Sequence, residues 1–278
     1  MAGPKLFWID DDDRLTPVEG ELDHYLLLPG RELNQHLTKS LRAKMGDSFP
    51  FCRPEDRTRF SGKIISLSPL TLDLSQIHPM RRTNPATLLG IALAPIKGDG
   101  FTSILGQAIM SGIHRVRPLL TDRSVVDWGD SSRWETKSSR FRTLIREKSQ
   151  LAGRSDRMIL EPPISISSFL DLPPGESVIW FDEDQAGTRD LKSLLEIFQH
   201  SSGFSRGLSC LWGMVGPEGG WSSSERQIAQ GMEVQGRLIR VSLGDLTYSA
   251  EAAAFAVVSL FGLVLSSFLE TENKTFSF

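Results

Sequence analysis

From residue 85 onward the chain alternates apolar runs with helical stretches, and this alternation constrains the fold more than any other feature. The runs Leu88–Ala94, Arg115–Leu119, Ser177–Asp182, Leu208–Val215 and Leu238–Val241 alternate with helical stretches at Phe101–Gly112, Trp134–Ala152, Asp190–Gln199, Ser222–Gly231 and Ser249–Leu269. Strands buried on both faces of a parallel sheet read as continuous apolar runs. The expectation is an α/β layer domain over residues 85–278.

The first 80 residues have a different texture. Leu6–Ile9, Ser48–Cys52, Phe60–Leu67 and Thr71–Leu74 read as short strands between turn residues. One helical run, Arg31–Lys44, places Leu33, Leu37 and Leu41 four apart, and Gly46-Asp47 follows it as a stop. These features predict a small β-barrel-like domain over residues 1–80, with Met80–Pro85 as the linker.

Hydrophobic residues make up 40% of the chain and charged residues 23%, which excludes a mainly disordered protein. Cys52 and Cys210 lie far apart and form neither a metal pattern nor a disulfide framework, so a reducing cytoplasm is the expected location. The five histidines are scattered without ligand spacing, and no metal is expected. The N-terminus runs into Asp10–Asp13 without an apolar signal core. Ala252–Leu269 is uncharged for 18 positions, close to the roughly 20 that span a bilayer. Glu251 opens that run, Ser259, Ser266 and Ser267 interrupt it, and no basic cluster flanks it. A helix buried between a sheet and a partner subunit explains it better than a membrane span.

The net charge of −3 is unevenly spread, because His114–Arg157 holds 11 Lys or Arg against 6 Asp or Glu. Such a stretch suits phosphate binding, and equally suits a solvated helix face.

The sharpest local signal is Met214-Val-Gly-Pro-Glu-Gly-Gly-Trp-Ser-Ser-Ser-Glu225. An apolar strand ends in a loop whose glycines leave backbone N–H groups open to a ligand. Ser222 and Glu225 then form a Ser-x-x-Glu capping box that opens a helix. The loop is neither Gly-x-Gly-x-x-Gly nor a Walker sequence, so a dinucleotide or ATP is poorly supported, and the loop reads equally as a nucleotide-like ligand loop and as a plain structural turn. A second strand–loop–helix unit follows at Val241-Ser-Leu-Gly-Asp-Leu-Thr-Tyr-Ser-Ala-Glu-Ala-Ala253. Two such loops at neighbouring strand ends form one crevice.

The Gly-Pro-Glu-Gly-Gly loop, followed by Ser-Leu-Gly and a Glu-Ala helix, resembles the SPOUT superfamily of methyltransferases. Within it the chain is similar to the ribosomal small-subunit methyltransferase E family, which methylates N3 of a uridine in 16S ribosomal RNA. His36-Leu37, Leu41-Arg42 and Gly46-Asp47 resemble that family's N-terminal pattern. Leu93-Ala-Pro-Ile-Lys-Gly-Asp99, Thr121-Asp-Arg-Ser124 and Gly153-Arg154 fall in family order.

The resemblance implies an N-terminal PUA-like RNA-binding domain and a C-terminal α/β domain threaded into a trefoil knot, roughly over 177–269. It also implies a homodimer, S-adenosylmethionine as cofactor, and ribosomal RNA of the small subunit as partner. It places the cofactor at Met214, Val215, Gly216, Pro217, Gly219, Gly220, Val241, Ser242, Leu243, Gly244, Leu246 and Tyr248. Lys39, Arg42, Lys44, Arg123, Arg142 and Arg154 are the candidate RNA contacts.

Some positions depart from the family. Ser249 stands where an arginine is expected, Gly106–Gly112 lacks the family's charged and hydroxyl positions, and Gln150-Leu151 replaces Glu-Gln. Methylating N3 requires loss of its proton, hence a base or a cation that stabilises the uracil anion. The candidates are Arg240, Ser249 and Glu251. Glu218 and Glu251 also read as partners of a helix dipole, and Trp221 either covers the cofactor or packs in the core. Two other readings stay open: a catalytically weak relative that binds RNA in ribosome assembly, and a SPOUT enzyme with a different RNA target.

Overall fold

The computed structural model describes residues 5–77, 87–184, 188–200 and 208–265. The expected linker at Met80–Pro85 and the end of the apolar run at 266–269 lie outside these residues. The chain divides into two compact units, Met1–Arg82 with Arg146–Arg157, and Thr83–Ile145 with Met158–Phe278. A single boundary near residue 80 was expected; the stretch 146–157 joins the first unit instead.

The first unit carries strands β1 (Phe7–Trp8), β2 (Arg14–Pro17), β3 (His24–Leu28), β4 (Ser48–Arg53), β5 (Thr58–Leu67) and β6 (Leu70–Ile77). They form one sheet in the order β1-β4-β5-β6-β3-β2, antiparallel except for β1 beside β4. Alternation sets its inner face: Phe60 and Ile64 on β5 and Leu70, Leu72 and Leu74 on β6 are buried, while Ser61 and Lys63 face solvent.

Helix α1 (Arg31–Gln35) continues into a wider π turn, His36–Ser40. The Leu41 N–H reaches back five residues to the His36 carbonyl at 3.0 Å. Leu33 and Leu37 are therefore buried as their spacing predicts, whereas Leu41 is rotated out and 46% exposed.

The stretch 146–157 is stitched to this sheet by polar contacts. The Trp8 indole donates to the Arg154 carbonyl at 3.0 Å, and Arg59 donates to the Gly153 carbonyl at 2.8 Å. Asp10 takes ion pairs from Arg146 at 2.6 Å and Arg157 at 3.1 Å. Burial pushes its carboxyl up, and the two guanidiniums pull it back.

In the turn after β4, Arg53 donates to Asp56 and holds its carboxyl at about 2. A depressed carboxylate contributes stability above its unfolded pKa and loses it as pH falls toward the folded value. The pair is 39% and 44% exposed, so solvent screening keeps that contribution below about 1 kcal/mol. Asp56→Asn is expected to lower the urea midpoint at pH 6 and to match the wild type near pH 2. Equal midpoints at both pH values would refute this.

The second unit contains β7 (Leu88–Leu93), α2 (Gly100–Met110), β8 (Arg115–Leu120), α3 (Ser131–Leu151), β9 (Ile159–Leu160) and β10 (Ile164–Ser165). Next come α4 (Ile166–Leu170), β11 (Glu176–Phe181), α5 (Leu191–His200), β12 (Cys210–Val215), α6 (Ser223–Val234), β13 (Leu238–Val241) and α7 (Ala250–Ser259). The last turns of α3 belong to the first unit. The sheet is parallel throughout, ordered β10-β8-β7-β12-β11-β13, with β9 also on β8.

Helices cover both faces, as the apolar runs predict. One face packs Ile91, Leu211, Ile179 and Val241 against α2, α3 and α7, and the other packs Trp180, Trp212 and Met214 against α4 and α6. Helix α7 and the π-helical turns that continue it, Leu260–Leu265, lie so close to β12 that a Cβ on Gly213 would sit 2.9 Å from Val257 and 2.8 Å from Phe261. That packing accounts for the described part of the long apolar run. Among the described residues no helix is long and apolar enough to cross a membrane.

Candidate functional site

Four parallel strands end at one level. Leu93, Val215, Phe181 and Val241 pair in register across β7, β12, β11 and β13. The segments that follow them therefore rise side by side from the carboxyl edge, where open parallel sheets bind ligands. Beyond β13 the chain adds Arg189, whose N–H donates to the Arg240 carbonyl at 2.9 Å and whose carbonyl accepts from Ser242 N–H at 2.8 Å. Val241 is thus bracketed by β11 on one side and Arg189 on the other. Between Arg189 and the loop after β13 opens a cavity of about 410 Å³, lined by Thr188, Asp190, Lys192, Ser242, Gly244 and Asp245 among others.

The loop after β12 is built by its own residues. Gly220 N–H donates to the Pro217 carbonyl at 2.9 Å, and Gly220 sits at φ +66°, a conformation that favours glycine. Ser222 caps α6 in a complete capping box with Glu225, as its sequence predicts. The Glu225 carboxylate, 4% exposed, also accepts from Asp122 N–H at 2.8 Å. Ser222 and Ser224 hydroxyls donate to Asp122 at 2.6 and 2.8 Å and hold its carboxyl below the usual carboxylate range. Arg123 donates to the Gly219 carbonyl at 3.0 Å. The segment Thr121–Ser124 therefore braces the glycine loop.

Trp221 is a core residue: fully buried, with its indole N–H on the Phe181 carbonyl at 2.9 Å and its ring 4.4 Å from Trp180. Met214, Val215, Pro217 and Val241 are buried, so they offer backbone rather than side chain. Gly216 and Gly220 are half-buried and Gly219 is open. In the second loop Ser242 is 9% exposed and Leu243 half-buried, while Gly244, Leu246 and Tyr248 are exposed. Gly244 adopts φ +116°, and its N–H donates to the Ser242 hydroxyl at 3.2 Å.

The three catalytic candidates are not brought together. The Arg240 guanidinium pairs with Glu233 of α6 at 2.9 Å, on the sheet face it shares with Leu238. Ser249 and Glu251 lie at the start of α7, whose Ala250 packs into the opposite face. The Ser249 hydroxyl caps α7 by accepting from Ala252 N–H at 3.2 Å. Glu251 reaches the start of α2, its carboxyl carbon 3.6 Å from where a Cβ on Gly100 would stand.

Of the basic candidates, Lys39, Arg42, Lys44, Arg123 and Arg142 are exposed. The Arg154 side chain is only 9% exposed and pairs with Asp156 at 2.5 Å. Asp182, fully buried, and the half-buried Arg226, which form an ion pair beside the glycine loop at 2.8 Å, were not found from sequence. The one available signal was an acidic Asp182-Glu-Asp184 run placed directly after a strand.

Known structures share this architecture. A Legionella pneumophila protein described as a methyltransferase, solved with S-adenosylmethionine, is 18% identical over 93% of this chain and 96% of its own, with a TM-score of 0.69. The ribosomal RNA small subunit methyltransferase E of Neisseria gonorrhoeae, also bound to S-adenosylmethionine, is 17% identical over 93% and 97%, with a TM-score of 0.69. A Porphyromonas gingivalis protein described as an rRNA methyltransferase is 18% identical over 97% and 99%, with a TM-score of 0.67. At these identities the likeness shows the fold. No curated protein matches the sequence. The model of the RNA methyltransferase domain matches residues 83–262, more than half of the chain, and this protein belongs to that family.

Proposed function

We propose that this protein transfers a methyl group from S-adenosylmethionine to N3 of a uridine in small-subunit ribosomal RNA. The observation that carries the reading is the pair of glycine-bearing loops, Gly216–Trp221 and Ser242–Tyr248, on strands that end level at one edge. Gly219 and Gly244 are exposed and add no side chain to the loop surfaces, which fits an adenosine-bearing donor. S-adenosylmethionine supplies an activated methyl group for in-line displacement, so orienting donor and acceptor is the main task of the residues around it.

Glu251 is the carboxylate at the start of α7 and serves as base for the N3 proton. Arg240 is paired with Glu233 on the opposite sheet face and so stays outside this step. Ser249 positions the start of α7 through its cap. The exposed Lys39, Arg42, Lys44, Arg123 and Arg142 contact phosphates, while Arg154 orders the stretch that bears it.

The remaining expectations follow as part of the same proposal. The six-stranded unit, with 146–157 joined to it, is a PUA-like RNA-binding domain, and 83–145 with 158–278 form a SPOUT domain knotted over about 177–269. Support for the knot is the bracketing of Val241 by segments that precede it in the chain. Exposed Met110 at the end of α2, Leu246 and Tyr248 in the loop after β13, and Leu263 beyond α7 support a homodimer. Burial pushes the Cys52 and Cys210 thiols up to about 12, which keeps them unreactive and suits the cytoplasm.

Incubation with labelled S-adenosylmethionine and unmethylated small subunits is expected to place label in 3-methyluridine. Label in another nucleoside would reject the acceptor. The commitment of the Ser249 hydroxyl to its cap favours one second reading, a catalytically weak RNA-binding relative. Absence of label, with donor and subunits both bound, would select it. Gly244→Val, which forces a branched side chain to φ +116°, is expected to weaken donor binding about tenfold. Unchanged affinity would move the donor out of this loop.

A further inference from the structure

Arg226, on the first turns of α6, joins three chain segments at the carboxyl edge. Its Nε and Nη2 grip the Asp182 carboxylate at 2.9 and 2.8 Å, Nη1 donates to the Trp221 carbonyl at 3.0 Å, and Nη2 also reaches Glu183 at 2.7 Å. The Asp182 side chain is completely buried. Asp182 follows directly on β11, and its backbone N–H donates to the carbonyl of Val241, the last residue of β13, at 3.0 Å. One guanidinium therefore ties the end of the glycine loop to the end of β11 and, through Asp182, to the root of the loop Ser242–Tyr248. The Asp182 pairing raises the Arg226 pKa, so the tie is charged across the working pH range.

We propose that Arg226 is a positioning residue for the methyl donor: without touching it, Arg226 holds the two donor loops at the spacing the donor requires. This rests on the placement of S-adenosylmethionine in those loops. A guanidinium offers donors in a fixed planar fork, and here three directions of that fork are used at once; a lysine cannot reproduce them. Buried pairs of this kind contribute little net stability against an apolar replacement. What the pair contributes is geometry, and loops held in the bound arrangement before binding raise affinity.

The test is calorimetric titration of S-adenosylmethionine into the full-length wild type, Arg226→Lys, Arg226→Met and the double variant Asp182→Asn/Arg226→Met, with thermal melts and kinetics beside it. Arg226→Lys is expected to bind about tenfold more weakly, the equivalent of one charge-assisted hydrogen bond. Its KM for the donor rises accordingly, while kcat at saturating donor changes little. Arg226→Met leaves Asp182 buried and unpaired and melts earlier. The double variant removes that charge and regains most of the melting temperature, yet keeps the weakened binding. Recovery of affinity together with stability in the double variant would reduce Arg226 to a structural role and overturn the inference. So would wild-type affinity in Arg226→Lys. Gly244→Val separates the two levels: if it weakens binding while the Arg226 variants do not, positioning alone fails. If it also binds as the wild type does, the loop placement is what fails.

Discussion

Trp221→Ala is expected to destabilise the second unit by about 4 kcal/mol, in the range for emptying a fully buried tryptophan site. The indole is 0% exposed, lies against Trp180, and has the glycine loop on it: a Cβ on Gly216 would come within 2.9 Å of its ring. Removing it opens a cavity under the loop and leaves the Phe181 carbonyl without its 2.9 Å donor. The effect on S-adenosylmethionine binding should exceed the effect on stability, because the loop loses its floor. Trp221→Phe keeps most of the packing and loses the hydrogen bond, so about 1–2 kcal/mol is expected. Urea unfolding with donor titration decides the matter. An alanine variant that retains wild-type affinity would show that the loop stands without its tryptophan.

Glu161→Ala should cost about 3 kcal/mol for a different reason and without touching the donor site. Glu161 is 7% exposed and is shared by Arg115, whose Nε lies at 2.5 Å, and Arg117. Arg115 also pairs with Glu176 at 2.8 Å and lies 4.7 Å over the Trp212 ring, whose indole N–H donates to Glu176 at 2.6 Å. Deleting the glutamate leaves two guanidiniums side by side on β8, with Glu176 pairing Arg115 alone. They are 21% and 25% exposed, so water relieves part of the penalty. Glu161→Gln retains an acceptor and is expected to cost less. Arg115, Glu176 and Cys210 open β8, β11 and β12, so this cluster sits at the end of the strands opposite the proposed donor loops. Methyl transfer below the melting temperature should therefore stay near wild type. Lost activity at full folding would contradict that separation.

How legible these features were in the sequence depends on how local their causes are. Buried parallel strands declare themselves as apolar runs because both faces are covered, and β7, β11, β12 and β13 were read within two residues. The capping box was legible because Ser222 and Glu225 are three residues apart and bond each other directly. Leu41 was misread because a π turn, which changes the helical phase, leaves no periodic mark. Strands β2 and β3 were missed: Arg14–Pro17 has only one residue of partial burial outside solvent exposure and no strict alternation. The assignment of 146–157 to the first unit depends on contacts such as Trp8 with Arg154, 146 residues apart. Arg226 and Asp182 are 44 residues apart, and nothing in either local pattern points to the other. Arg240 was read as available because its partner Glu233, in the last turn of α6, is seven residues away, at a spacing no helix rule links.

The bracketing of Val241 has a consequence for the order in which the protein acquires its properties. Both neighbours of β13 at this point, Phe181 and Arg189, are synthesised before it, so the strand must enter a gap between segments already in place. Long-range pairings of this sort form late, since they order much chain before they gain contacts. Donor affinity, which on the proposed placement draws on the loop after β13, should thus be the last property to return on refolding. It should lag behind the recovery of tryptophan burial, leaving a compact but cofactor-blind species in the interval.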